Sequence, residues 1–127
     1  MSLNFRQSEV WKLSRVQNIE IIQILSTSKL ERLYKFKDQI FRSSGSVMDN
    51  IAEGFERDGN RELIQFLSIA KGSNGELSSQ ITRLLDMQII TEIKHGEMQK
   101  QSAEISKQIG GFITYLKRSE MQGSKKK

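Results

Sequence analysis

Cysteine and proline are absent from this chain of 127 residues, and histidine occurs only once. Without cysteine, disulfides and thiolate chemistry are excluded. His95 has no second histidine to pair with, so the paired-histidine metal sites typical of zinc are excluded as well. We therefore expect neither a metal nor another cofactor. The residues that dominate instead are Leu, Ile, Lys, Glu, Gln and Arg, which favour helix.

Long apolar runs are also missing, because no segment approaches the roughly 18–20 residues that cross a bilayer. The first ten residues, MSLNFRQSEV, lack the apolar centre of a signal peptide. We therefore expect a cytoplasmic protein with no membrane partner. The net charge of +5 is a modest excess for one chain, and a symmetric oligomer would multiply it.

Apolar residues recur with a helical period in four segments, which predicts helices over 9–25, 29–55 and 61–88, and a fourth that follows Thr91 and ends near 118. Ser28 and Glu31 match a capping box before the second helix. Asn60 and Thr91 are the predicted N-caps of the third and fourth. Short links between long helices predict an all-α protein, an antiparallel up-down-up-down four-helix bundle over residues 1–118. Residues 119–127 are predicted to form a basic, disordered tail.

Small and polar residues gather in one stretch of the second helix, SSGSVMDNIAEGFERDGN (43–60). One alternative is a helix break at Gly45, but the apolar period continues through it. The other is a polar edge, since at 100° per residue several of these side chains share one side of a helix. The third helix carries a matching segment, IAKGSNGEL. We predict a polar network between the two helices, formed by Ser46, Asn50, Glu53, Ser73 and Glu76. The interior glycines Gly45, Gly72 and Gly75 are expected to be compensated by close packing.

The polar residues of the second and third helices do not meet the requirements of catalysis. Glu53 and Glu76 resemble a carboxylate pair, but the sequence offers no nucleophile beside a base, no phosphate loop and no metal-ligand set. We therefore predict a non-catalytic protein with no catalytic residues.

Two segments in this region carry a family resemblance. SVMDNIAEGFER (46–57) and FLSIAKGSNGEL (66–77) resemble the two signature segments of the 23S rRNA intervening-sequence proteins, a family of four-helix bundles. The pattern is similar to S-x-x-x-N-I-A-E-G-x-x-R followed by F-L-x-I-A-x-G-S-x-x-E-L. Gly45 and Glu56 depart from the residues usual in that family, which affects local packing more than membership.

The resemblance implies a bacterial homopentamer arranged as a barrel around a central channel and encoded within a large-subunit rRNA gene or another bacterial context. No enzymatic activity is established for that family, so the resemblance implies a protein without one. A relative with a similar fold, the accessory variability determinant of diversity-generating retroelements, is basic and binds nucleic acid and a reverse transcriptase.

Helices one and two carry apolar residues on a second side, which a monomeric bundle does not require. The alternative is a thicker core. We predict that this side contacts other subunits. The interface candidates are Trp11, Ile22, Phe41, Met48 and Phe55.

Basic residues lie along several predicted helices, and the segment KLERLYKFK places Tyr34 and Phe36 among four of them. Such residues contact phosphates without reading bases. The alternative is a solvated helix face with both aromatic rings buried. The predicted nucleic-acid contacts are Arg15, Lys29, Arg32, Lys35, Lys37, Lys100 and Lys107. Two functions remain open: a homo-oligomer that binds RNA or DNA without sequence specificity, and an assembly scaffold that binds another protein.

Overall fold

The computed structural model describes residues 4–126, except for the side chains of residues 28 and 123–126. Four helices follow one another along the chain: α1 Glu9–Leu25, α2 Tyr34–Glu56, α3 Asn60–Asp86 and α4 Glu92–Lys126. Two short 3-10 turns, Phe5–Gln7 and Ser28–Leu30, precede α1 and α2. Residues 4–126 contain no strand, and the predicted all-α class is confirmed.

Each helix packs against its neighbours in the chain, and α1 also packs against α4. This arrangement forms a four-helix bundle. Hydrogen bonds between α2 and α3 join Ser43 to Glu76 and Ser46 to Ser73. Residue numbers therefore rise along one helix while they fall along the other, which is consistent with the predicted antiparallel order.

The start of α2 differs from the prediction. The helix begins at Tyr34 rather than at residue 29, and its N-cap is Leu33, which makes no side-chain cap. The predicted capping box of Ser28 and Glu31 therefore does not lie at the start of α2, and the side chain of Ser28 is outside the described residues. The chain instead turns at Ser28–Leu30, and this turn places Leu30 in the core with no exposed surface. Leu30 is buried by contacts with the other helices, so the sequence around Leu30 does not predict this turn.

The two ends of α3 also differ from the prediction. Asn60 is the first helical residue rather than the N-cap, and Gly59 takes the cap position with φ 96°. A positive φ favours glycine. At the other end the helix stops at Asp86, because Gln88 adopts φ 60° and the Ile89 amide donates to the Leu84 carbonyl at 2.9 Å. This pair of features is a Schellman ending.

Helix α4 starts as predicted and ends later. Thr91 Oγ1 accepts a hydrogen bond from the Lys94 amide at 3.1 Å, so the predicted cap is confirmed. The helix continues to Lys126, and the predicted end near Arg118 is wrong. Leu116 is the last buried residue, and residues 117–122 are all exposed. The division into a domain and a tail stays a prediction, and Lys127 lies outside the described residues.

The apolar core falls into two clusters at different heights in the bundle. One, near the α1–α2 link, includes Ile21, Ile40 and Ile81. The other, nearer the α2–α3 link, includes Ile51 and Ile105. Within the described part of the chain, no helix is long and apolar enough to cross a membrane.

A buried polar layer separates the two clusters, with one side chain from each helix. Its members, Gln17, Ser44, Asn74 and Ser102, are all nearly or fully buried. Gln17 Nε2 donates to Asn74 Oδ1 at 3.3 Å, and Asn74 Nδ2 donates to the Ser102 carbonyl at 2.8 Å. Ser44 Oγ donates to Asn18 Oδ1 at 2.9 Å. These bonds offset the cost of placing polar groups in the core.

Candidate interaction surfaces

A chain of hydrogen bonds lies on the α2–α3 side of the bundle. The hydroxyls of Ser46 and Ser73 share a bond of 2.8 Å across the two helices. Asn50 Nδ2 donates to the Ser46 carbonyl at 2.8 Å and to Ser46 Oγ at 2.9 Å, both within α2. One turn away along α3, Glu76 Oε1 accepts from Ser43 Oγ at 2.9 Å. The structure thus brings four of the five predicted network residues to this side.

Glu53 is the predicted member that does not join the network. Its Oε1 accepts from Arg57 Nε at 3.0 Å, and the same oxygen lies 2.8 Å from the Arg57 Nη2 atom. Both side chains are about half exposed. The prediction is wrong here because Arg57, one turn further along α2, reaches this carboxylate along the solvent side. The network therefore ends at Asn50.

Glu53 and Glu76, the two carboxylates considered for catalysis, do not form a pair. Glu76 bonds to Ser43, and Ser43 lies ten residues from Glu53 along α2, which is about 15 Å on a helix. Each carboxylate has its own neutral or cationic partner. Among the described residues, no cluster of three His, Asp or Glu side chains is placed to hold a metal ion.

The close packing expected at Gly45, Gly72 and Gly75 is found at none of them. A Cβ added at Gly72 or Gly75 would meet no atom within 4 Å, and at Gly45 only Asp49 at 3.9 Å. That expectation is wrong for these three positions, although α2 is continuous through Gly45 as predicted. At Gly54, by contrast, an added Cβ would lie 2.9 Å from Leu63 Cδ1 and 3.0 Å from Phe66 Cβ.

The second apolar side of helices one and two forms a surface between α1 and α2, which we call the α1–α2 face. Trp11 and Met48 line a groove near one end of this face, and Ile22 and Phe41 line another groove near the other end. Ile22 is 43% exposed and Phe41 is 53% exposed. These four interface candidates therefore line the α1–α2 face. Trp11 is half-buried there and also packs against the second core cluster.

Phe55 does not belong to the α1–α2 face. Its ring packs edge-on against the Phe112 ring of α4, with centroids 5.8 Å apart, and it packs against the second core cluster. The structure therefore places Phe55 with the core, as the thicker-core alternative has it. Met48 and Phe55 are seven residues apart and therefore lie on the same side of α2. The sequence does not show that α4 covers this side at Phe55.

The predicted nucleic-acid contacts lie in three places rather than in one patch. The first is the α1–α2 link and the start of α2, where four of them are found. Arg15 lies on α1 beside the Trp11 groove. Lys100 and Lys107 lie about two turns apart on α4. The full set is Arg15, Lys29, Arg32, Lys35, Lys37, Lys100 and Lys107, and all are exposed except Lys37, which is half-buried.

The two aromatic residues of the link behave differently. Phe36 is buried, and the Arg83 guanidinium carbon lies 4.6 Å from the centre of its ring. Tyr34 is 74% exposed. The solvated-face alternative, with both rings buried, is therefore wrong for Tyr34 and right for Phe36.

Comparisons with known proteins agree with this architecture. A family model described as 23S rRNA-intervening sequence protein matches residues 6–111. A crystal structure of a protein of unknown function from Bacteroides thetaiotaomicron, assigned to the S23 ribosomal protein family, superposes with a TM-score of 0.73. It is 24% identical in sequence, and the match covers 83% of this chain and 95% of that chain. At this identity the likeness shows the fold alone. No curated protein matches the chain.

Proposed function

The chain belongs to the family of 23S rRNA-intervening sequence proteins, and from this premise we propose that it is a non-catalytic homo-oligomer that binds nucleic acid through phosphate contacts. On this proposal it is an accessory protein encoded in a ribosomal RNA intervening sequence, and its binding does not depend on base sequence. Neither the description of the family nor that of the similar crystal structure includes an enzymatic activity.

The proposal of nucleic-acid binding rests on one observation: the predicted contact residues form no ion pairs with acidic side chains of the described residues. Three ion pairs occur among the described residues: Arg42 with Asp38, Arg57 with Glu53, and Lys94 with Glu20. None of them uses any of the seven predicted contact residues. Exposed cations without an acidic partner are available to neutralise phosphates and release counterions. An oligomer of five chains at +5 each would carry +25, which would concentrate polyanions around it.

The α1–α2 face supports the oligomeric part. Besides Ile22 and Phe41, α1 exposes Ile19, which lies about 60° from Ile22 around the helix. Apolar surface gathered on one side of a bundle is typical of a contact between chains. We propose that this face contacts a second copy, and that the copies form a ring, with five as the expected number.

The oligomer proposal predicts that the double variant Ile22→Glu/Phe41→Glu dissociates. Two carboxylates at the centre of an apolar contact lose hydration without gaining partners, so association becomes unfavourable. The measurement is native mass by light scattering at several concentrations, where the wild type is expected to be a multiple of one chain. Ile69→Glu is the matched control, because Ile69 is 51% exposed on α3, outside the face. A monomeric wild type, or an equal decrease in mass in the control, would contradict the proposal.

The nucleic-acid proposal predicts steep salt dependence. Because each neutralised phosphate releases a counterion, a contact set of only two phosphates predicts a decrease in affinity of about tenfold between roughly 50 and 200 mM salt. The measurement is a titration of labelled RNA at both salt concentrations. Lys100→Gln/Lys107→Gln is expected to lower the salt slope, by about one for each phosphate that the variant no longer neutralises. If a clean oligomer binds no RNA at low salt, the alternative of a protein-binding scaffold is favoured.

A further inference from the structure

Tyr34 occupies an unusual place for a large aromatic residue. It is the first residue of α2, and three quarters of its surface is exposed. Core packing does not require a ring at this position, because the apolar side of the helix is supplied by the buried Phe36 two residues later. The position therefore leaves a ring face available to a ligand.

The backbone around Tyr34 is held firmly although its side chain is exposed. Leu30 and Phe36, on either side of it in the sequence, are both buried in the first core cluster. The Leu33 amide donates to the Leu30 carbonyl at 3.0 Å, and the Lys37 amide donates to the Leu33 carbonyl at 2.9 Å. A ring presented from a fixed turn loses little conformational entropy when it binds.

Positive charge surrounds this ring in the sequence. Residues 29–37 contain Lys29, Arg32, Lys35 and Lys37 against a single acid, Glu31, a net charge of +3. The next acid, Asp38, is paired with Arg42 at 3.0 Å. Lys37 lines the same groove as Tyr34, and so does Asp38, whose charge is offset by Arg42. An exposed ring beside unpaired cations is the combination by which proteins hold single strands, with bases on the ring and phosphates on the cations.

We propose that the α1–α2 link and the first turn of α2 form a binding site for single-stranded nucleic acid, in which an unpaired base stacks on Tyr34. Lys37, which lines the groove of Tyr34, and the neighbouring Arg32 and Lys35 hold the adjoining phosphates, whereas Lys29 lines a separate groove with Asp86 and Glu92. This inference rests on the proposed function and adds that the nucleic acid is single-stranded at this site. In a duplex the faces of the bases are covered by their neighbours, so only phosphate contacts remain there, whereas a single strand offers both.

A second copy of the chain is the other candidate occupant, because Tyr34 shares its groove with Ile22 and Phe41. The charge at the link argues against it. Lysine is depleted in contacts between protein chains, and contact at this link would place the excess positive charge of residues 29–37 in a dehydrated interface. The single-strand site is therefore preferred for Tyr34, while the rest of the α1–α2 face stays with the oligomer.

The test is fluorescence anisotropy of the full chain with a labelled single-stranded RNA of about 15 nucleotides and a duplex of the same length at low salt. Tyr34→Ala is expected to weaken single-strand binding about tenfold, or about 1.4 kcal/mol, because the variant loses the stacking of one base on the ring. Duplex binding is expected to change less than about twofold, and Tyr34→Phe is expected to bind like the wild type. Tyr115→Ala is the matched control, because Tyr115 is 66% exposed on α4, and it is expected to change neither affinity.

The outcomes separate this inference from the function on which it rests. If the wild type binds no nucleic acid, both fail. If the wild type binds but Tyr34→Ala binds the single strand equally well, the stacking site is overturned and phosphate binding stands. If Tyr34→Ala changes the native mass, Tyr34 belongs to the contact between chains and the inference is overturned. An equal weakening with single-stranded DNA would support stacking and show that the 2′-hydroxyl is not read.

Discussion

Asn74→Leu is expected to lower the free energy of unfolding by about 2–5 kcal/mol. Asn74 accepts from Gln17 Nε2 and donates to the Ser102 carbonyl, and leucine of similar size does neither. Gln17 is fully buried and its Oε1 already has no partner among the described residues, so the change would leave its whole amide unpaired. A buried polar group without a partner costs about 1–3 kcal/mol, and each missing hydrogen bond about 1 kcal/mol more. The measurement is urea unfolding followed by circular dichroism.

A double variant distinguishes the removal of a hydrogen-bond partner from a change in packing. In Gln17→Met/Asn74→Leu both amides are removed, and among the described residues the only side-chain group that loses a partner is the Ser102 hydroxyl, whose bond to Asn74 Oδ1 is long at 3.4 Å. A large part of the stability is therefore expected to return. Gln65→Ala, which removes an exposed amide from the same helix, serves as the control and is expected to have little effect. If the double variant were as unstable as the sum of its single variants, the Gln17–Asn74 bond would not be the cause.

The polar layer also explains how the four helices find one register. Each helix places its polar side chain between the two apolar clusters. The bonds of Asn74 to Gln17 and to Ser102 form only when α1, α3 and α4 are at the same height, and Ser44 of α2 bonds to Asn18 of α1 near that level. A slip of one helix by a turn would bury its amide or hydroxyl against apolar side chains. The layer therefore opposes registers that apolar packing alone would tolerate.

Much of the fold was predictable because its signals are local. The apolar period predicted all four helices, and it gave the bounds of α1, Glu9–Leu25, as the structure has them. The errors lie where a helix end depends on distant residues. Leu30 turns into the core and delays α2, and α4 continues past the last residue that the core requires. No capping residue marks the later start of α2 or the later end of α4, so the sequence does not predict either one.

The polar residues were predictable only in part, for the same reason. Helical spacing correctly placed Ser46 opposite Ser73, but it did not show that Arg57 would take Glu53 toward solvent. The polar layer was missed even though the sequence contains a signal for it. Ser14 and Gln17 occupy positions between Val10 and Ile21 on the apolar stripe of α1, and all four are buried. Polar residues in register with an apolar stripe predict a buried polar contact.

Gly54→Val is expected to lower the free energy of unfolding by about 3 kcal/mol, the upper part of the usual range for overpacking. Gly54 is buried where α2 meets α3, and an added Cβ would lie 3.0 Å from Phe66 Cβ. Leu63 Cδ1, at 2.9 Å, belongs to a flexible side chain and is able to move aside. The Phe66 Cβ is fixed to the α3 backbone, so the two helices must separate and the packing around them is weakened.

Gly72→Val is the matched control for this change, because it makes the same substitution within a helix where an added Cβ meets nothing within 4 Å. Valine is a slightly better helix former than glycine, so this variant is expected to stay within about 0.5 kcal/mol of the wild type. Thermal unfolding of the two variants under one set of conditions measures the difference. Equal melting temperatures would mean that α2 and α3 have room at Gly54, and that a close approach of the two backbones is not what favours glycine at this position.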